Sequence, residues 1–292
     1  MRNDREQRNL FGLVNSVRYE CVSLLGESIF EKADVDLSDY EIYDHSGRLL
    51  EEGSSERALL QDPFRYVFIY DTDGKLLVRE EYDWKGSLDG NTLYSGDEKG
   101  HKTESTCYSS GKLCRRRTLD GDSNVLEIEL YSDQEEVSLR RVYEYQKVGN
   151  RVEELAYLFD GVGKKTGVLE HKTTRIFDED GRETEQIIYR PDNSLWAKWV
   201  TTFNPGGHAI EEYQYNEGSS LENRRISIFD SNGNIKEEAY YEADGTLRVK
   251  RETDYEFDST GNWIRSTVNR WTSWGSRRFE PYSITNRKIV YF

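Results

Sequence analysis

From Leu247 to Phe257 the chain alternates strictly, with Leu247, Val249, Arg251, Thr253, Tyr255 and Phe257 on one side and Arg248, Lys250, Glu252, Asp254 and Glu256 on the other. A period of two marks a β-strand, whose successive side chains point to opposite faces, and here one face is solvated. Segments of this kind recur, each closed by an aromatic residue, an Asp and, three positions later, a Gly. The signature stands at Tyr43 to Gly47, Tyr70 to Gly74, Phe159 to Gly163, Phe177 to Gly181, Phe229 to Gly233 and Phe257 to Gly261, with looser copies at Tyr145 to Gly149 and Phe203 to Gly207. Its parts have separate tasks: the aromatic ends a strand, Asp accepts hydrogen bonds from its own turn, and Gly supplies positive φ.

The glycines Gly181, Gly207, Gly233 and Gly261 lie 26, 26 and 28 residues apart. Secondary turns at Gly86, Gly111, Gly163, Asn193, Gly218 and Gly245 fall about half a period out of phase, so each repeat holds two strands and two turns. The pattern predicts an all-β protein of tandem β-hairpin repeats with a period of about 26 residues, forming a long, curled antiparallel meander of about 18 strands or a barrel-like spiral. Residues 1–38 are expected to be an N-terminal arm and capping strands, with a first strand around Val14 to Val22. Residues 39–265 form the repeat domain. Residues 266–292 form a C-terminal β cap, ending on a β-prone segment suited to closing or blunting a sheet edge.

Composition changes this picture in one respect. Hydrophobic residues are 35%, charged residues 33% and mean hydropathy is −0.86, values that would suit disorder but for 20 Tyr, 11 Phe and 6 Trp. Such a chain buries rings and the stems of long polar side chains. The net charge of −15 argues against a nucleic-acid backbone as partner and favours a basic protein. No apolar run reaches the ~18–20 residues of a helical span, and residues 1–9 lack the apolar core of a signal peptide, so the chain is expected to be cytoplasmic without membrane insertion. Three cysteines, Cys21, Cys107 and Cys114, do not make a disulfide framework, although Cys107 and Cys114 flank a turn.

The turns Phe229-Asp230-Ser231-Asn232-Gly233-Asn234 and Phe257-Asp258-Ser259-Thr260-Gly261-Asn262 resemble the YD repeats of the bacterial Rhs family, over roughly residues 40–265. The opening Leu10 to Val17 is similar to the start of small stand-alone proteins of that kind. The resemblance implies long β-sheets and an association with toxins. A toxin-enclosing shell is not implied for a chain of 292 residues.

Catalytic chemistry is not apparent. His45, His101, His171 and His208 stand alone, and Asp71-Thr72-Asp73-Gly74 and Asp178-Glu179-Asp180-Gly181 lack the distal ligands of a calcium loop, so no cofactor or metal is expected. A glutamate follows the repeat glycine by four residues at Glu51, Glu104, Glu153, Glu185, Glu211 and Glu237. In a meander this makes an acidic stripe, either balanced by cross-strand cations such as Arg175, Arg224 or Arg225, or free to receive a basic partner. Trp263, Trp271 and Trp274 either seal the last repeats or bind a partner. The expectation is a non-enzymatic protein-binding repeat protein, an immunity protein neutralising a basic toxin domain, with Glu185, Glu211, Glu237, Trp263, Trp271 and Trp274 at the partner surface. The alternative is a glycan or cell-surface binding module.

Overall fold

The computed structural model describes residues 4, 8, 10–23, 37–54, 65–83, 85–97, 100–160, 167–272 and 279–292. Among them are twenty strands in one sheet. These are β1 Val14–Ser23, β2 Leu37–Tyr43, β3 Leu49–Ser54, β4 Arg65–Tyr70, β5 Leu76–Tyr82, β6 Leu88–Gly96, β7 Lys102–Tyr108, β8 Leu113–Leu119, β9 Val125–Tyr131 and β10 Val137–Val148. The series continues with β11 Arg151–Asp160, β12 Val168–Phe177, β13 Glu183–Tyr189, β14 Leu195–Phe203, β15 Ala209–Tyr215, β16 Leu221–Phe229, β17 Ile235–Glu242, β18 Leu247–Phe257, β19 Trp263–Thr272 and β20 Glu280–Tyr291.

The strands follow one another as antiparallel hairpins, and β20 then pairs with β1 from Val14 opposite Tyr291 to Ser23 opposite Ser283. The expected curled meander is thereby corrected: the antiparallel hairpins are present, but there are twenty strands and they close into a β-barrel. Closure lets the outer N–H and C=O groups of the first and last strands satisfy each other, leaving no open edge between them.

Asp44 shows how the turn signature works. Its backbone N–H donates to the Arg48 carbonyl at 3.0 Å, and the Gly47 N–H donates to the Asp44 carbonyl at 3.0 Å. Its Oδ1 accepts the Arg48 N–H at 3.0 Å, and the register shifts between Ile42 and Tyr43. Gly47 holds φ at +86°, which an L side chain adopts only with strain. In four turns the left-handed position is not glycine but Ser123, Glu135, Asn193 or Ser219. Gly121 thus lies two residues and Gly218 one residue before that position in their turns, and neither fills it.

Burial pushes the Asp44 carboxyl up, but hydrogen bonds from Ser46 and from the Arg48 backbone and guanidinium outweigh it, holding the group at about 2. A carboxyl lowered on folding contributes stability above its unfolded pKa and loses it as pH falls through the folded value. Asp44→Asn is therefore expected to cost stability at pH 7 and to cost nothing below about pH 2. Urea titrations of both proteins across that range check this; a penalty independent of pH would refute it.

Two compact units divide the chain: residues 1–91, 230–237 and 249–292 in the first, 92–229 and 238–248 in the second. In the first, Leu10, Val14, Val17, Tyr43 and Leu49 form the buried core, with Tyr19, Phe68 and Ile289 packed against it. Glu41 is buried beside them and pairs with Arg8, while accepting the Tyr43 hydroxyl at 2.7 Å and the Tyr19 hydroxyl at 3.2 Å. The Arg287 guanidinium lies 3.6 Å from the Trp263 ring centroid and 4.9 Å from that of Tyr19, and burial pulls its pKa down.

In the second unit every residue of β13 and β15 is half-buried. Neighbouring residues of a strand face opposite ways, so Arg224 and Arg225 report on both faces of β16. Arg224 pairs with Glu211, and Arg225 pairs with Glu212 at 2.8 Å and Glu238 at 2.7 Å. Both faces carry ion pairs at mid-strand. A mid-strand cation set against lipid would be costly by about 2–4 kcal/mol.

Candidate cleft on strands β10 to β12

The glutamates of the stripe each have a cation or hydroxyl beside them. Glu185 meets Lys198 at 3.1 Å, Glu237 meets Lys250 at 2.9 Å, Glu104 meets Arg117 at 2.8 Å, and Glu211 pairs with Arg224. In these four pairs the cation lies thirteen residues after the acid: Glu185 and Glu211 are directly opposite Val200 and Ile226, two residues beyond their cations and so diagonal to them, whereas Glu104 is directly opposite Arg117. Glu153 meets Lys172 at 3.0 Å and Arg151 at 2.6 Å, and Glu51 accepts the Tyr40 hydroxyl at 2.7 Å. The stripe is therefore neutralised within the sheet, and the charge that was to draw a basic toxin domain is already balanced. Trp263 lies against Arg287, with Tyr255 at 5.8 Å between ring centroids. Trp271, half-buried, stands opposite Lys250. Trp274 lies outside the described residues.

A different group of side chains converges on one face of β10, β11 and β12. Tyr145 is directly opposite Glu154, which is opposite Thr173; Lys147 is opposite Val152, which is opposite Arg175; Tyr143 is opposite Ala156, which is opposite His171. Ala156 and Thr173 are small and buried, so the larger side chains around them stand over a low floor. The result is a cleft of about 660 Å³ lined by Asn124, Tyr145, Lys147, Asn150, Phe177 and Asp178 among others. An adjoining recess of about 360 Å³ reaches Glu154, His171 and Arg175, and Asn124 and Tyr145 line both. Volumes of this order suit a small ligand or part of a polymer.

Each charged group at the base is held. Glu154, buried, accepts the Arg175 guanidinium at 3.0 Å and lies 3.9 Å from His171 Nε2. Arg175 also reaches Glu183 at 3.4 Å, and burial pushes the Glu183 carboxyl up, with Arg175 opposing and Glu154 adding to the rise. Burial likewise raises the Tyr145 phenol, whose hydroxyl donates to the Val125 carbonyl at 2.8 Å. Asn150 and Phe177 exchange two hydrogen bonds of 2.9 Å, fixing the Phe177 backbone at the cleft wall. Asp178 accepts the backbone N–H of Arg182 at 2.9 Å and its guanidinium at 2.7 Å, which hold its carboxyl below the usual range.

His171 is the histidine drawn into this group. His45 packs tilted on Phe292 with centroids 3.7 Å apart, His208 stacks on Phe229 at 4.6 Å, and His101 meets Asp97 at 3.0 Å. Among the described residues no group of His, Cys, Asp or Glu is placed to hold a metal ion, and Cys21, Cys107 and Cys114 form no disulfide with one another. Cys114 donates its thiol to the Thr106 carbonyl at 3.1 Å.

No family model matches the chain, and no curated protein matches it in sequence. Solved structures with a similar course include a porin-like protein from Bacteroides uniformis, 11% identical with a TM-score of 0.36, covering 95% of this chain and 98% of that one. A porin-like protein from Bacteroides vulgatus is 14% identical with a TM-score of 0.31, covering 77% of this chain and 93% of that one. At these scores they decide neither function nor ligand.

Three expectations are nevertheless corrected. The likeness to YD repeats does not extend beyond the turn chemistry, since the strands close into a barrel instead of running on as a long open sheet. The immunity role drew on that likeness and on an acidic surface open to a basic partner, and with the stripe balanced by its own cations neither supports it. The expectation of a cytoplasmic chain without membrane insertion is withdrawn as well, because it was drawn from the lack of an apolar helical span. No helix among the described residues is long and apolar enough to cross a membrane, but barrels meet membranes with strands, and the absence of such a helix says nothing of them.

Proposed function

We propose that this protein is a non-catalytic β-barrel of the cell surface that binds a saccharide in the cleft over β10, β11 and β12. The observation that carries the reading is the company of residues there: the aromatic Tyr145 and Phe177 beside Asn124, Asn150 and Lys147. Sugars offer apolar C–H faces to rings and hydroxyls to amides, and a cleft lined with both kinds of group suits them. Glu154 and Asp178 are each engaged by an arginine, which fits a binding role better than proton transfer. Barrel closure supports the surface placement, since closed barrels are the form in which β-strands meet a bilayer, while the ion pairs on both faces of β16 weigh against those mid-strand positions facing lipid.

The test uses intact cells of the native host carrying the tagged protein and a set of fluorescent hexasaccharides. At least one hexasaccharide is expected to stain intact cells, and Phe177→Ala is expected to weaken its binding to purified protein by about three- to tenfold, the value of one ring contact. Staining only after lysis would remove the surface placement. Failure of every hexasaccharide to bind purified protein would remove the saccharide reading.

A further inference from the structure

The turn that ends in Asn262 has a guest. Asn262 is 1% exposed, and its amide is turned away from its own Asp258 onto the backbone of Phe11. Its Oδ1 accepts the Phe11 N–H at 2.7 Å, and its Nδ2 donates to the Phe11 carbonyl at 2.8 Å and to the Tyr291 hydroxyl at 2.7 Å. The Tyr291 hydroxyl in turn donates to Asp258 Oδ2. An asparagine in this turn thus clasps a donor and an acceptor that lie side by side, while the turn's Asp receives a further hydroxyl.

Asn124 occupies the same position in the turn that begins at Asp120, and Asn234 in the turn that begins at Asp230. In both, the backbone N–H of the asparagine donates to the Asp, at 2.8 and 2.9 Å. In both, the amide is turned inward as well: Asn124 Nδ2 donates to Asp120 Oδ2 at 2.8 Å, and Asn234 Nδ2 to Asp230 Oδ2 at 3.0 Å. What separates them is their surroundings. Asn124 lines both parts of the cleft, next to Tyr145.

We infer that Asn124 is the polar clasp of the cleft, and that it takes a vicinal diol of a saccharide as Asn262 takes the Phe11 backbone. One hydroxyl of the diol donates to Asn124 Oδ1 and its neighbour accepts from Nδ2, while Asp120, behind the cleft lining, keeps the backbone N–H of Asn124. The diol supplies the same adjacent donor and acceptor that an extended residue presents, and the amide needs only to rotate out of its turn. This rests on the saccharide reading of the cleft and assigns the residue that chooses the sugar.

The experiment takes the hexasaccharide that binds best among maltohexaose, cellohexaose and mannohexaose and titrates it calorimetrically into wild type, Asn124→Ala, Asn234→Ala and Phe177→Ala. Asn124→Ala is expected to lose about tenfold or more in affinity, the effect of two hydrogen bonds to a ligand. Asn234→Ala is the control for turn damage, because it removes the same bond to its Asp away from the cleft. It is expected to lower the thermal midpoint about as much as Asn124→Ala and to bind as wild type. The permethylated form of the same hexasaccharide, which has no donor hydroxyls, is expected not to bind. If Phe177→Ala weakens binding and Asn124→Ala does not, the clasp is overturned and the saccharide cleft stands. Equal losses for Asn124→Ala and Asn234→Ala would also overturn it. If none of the three hexasaccharides binds wild type, both readings fall together.

Discussion

Asn262→Ala is expected to lower the free energy of unfolding by about 2–4 kcal/mol. The substitution deletes the two hydrogen bonds to the Phe11 backbone and the one to the Tyr291 hydroxyl; Tyr291 keeps its bond to Asp258, but the Phe11 N–H and carbonyl lose their partner in a place where Asn262 itself is 1% exposed. A buried donor or acceptor left without its partner costs more than the net worth of the bond, typically about 1–3 kcal/mol for each group. Phe11 is itself partly exposed, so water recovers some of that loss, and the range is set below the full sum. The contact also joins residues far apart in sequence, tying the segment ahead of β1 to the turn between β18 and β19, and nothing local replaces it. Urea denaturation measures the change. A difference below about 0.5 kcal/mol would mean that the side chain contributes no more than an ordinary surface position.

What the sequence made legible was the local chemistry. Asp44, Asp178, Asp230 and Asp258 accept backbone N–H groups of their own turns, as the repeat implies. Strand β1 begins at Val14, where the alternation begins. The placement of glycine was less secure: in the turns that contain Gly121 and Gly218, the left-handed residues are Ser123 and Ser219. A glycine near a turn marks it without fixing which position takes positive φ, because serine and asparagine tolerate that conformation at modest cost.

Closure had no local signal. β1 and β20 lie at opposite ends of the chain, and neither carries the repeat signature that would give their mutual register; only the β-prone character of residues near Phe292 hinted at a covered edge. The cleft was hidden for a related reason. Tyr145, Glu154, Arg175 and Asn124 come from three strands and a turn, and they meet because Ala156 and Thr173 are small, a property of tertiary adjacency that no spacing in the sequence records. The tryptophans drew attention as the largest rings, whereas the rings at the cleft are Tyr145 and Phe177.

Reversing Glu185, Glu211 and Glu237 together to lysine is expected to cost roughly 3 kcal/mol. Each glutamate now faces a cation on the neighbouring strand, Lys198, Arg224 or Lys250. Pairs this exposed contribute about 0.2–1 kcal/mol apiece, and reversal replaces attraction by repulsion of similar size, so three sites together reach that total. The loss should shrink in 1 M salt, where the Debye length falls to about 3 Å. It should also be recovered largely by adding the partner reversals Lys198→Glu, Arg224→Glu and Lys250→Glu, since the sixfold variant restores these three pairs with their signs exchanged and loses only the second contact of Lys250, to Glu252 at 3.0 Å. Denaturation midpoints of wild type, the triple variant and the sixfold variant decide the matter. If the triple variant is as stable as wild type, the diagonal pairs contribute nothing and the stripe is a solvated face after all. If it is less stable but the partner reversals fail to restore it, the glutamates act through something other than their cross-strand cations. The thirteen-residue spacing from acid to base would then be a consequence of the repeat period alone.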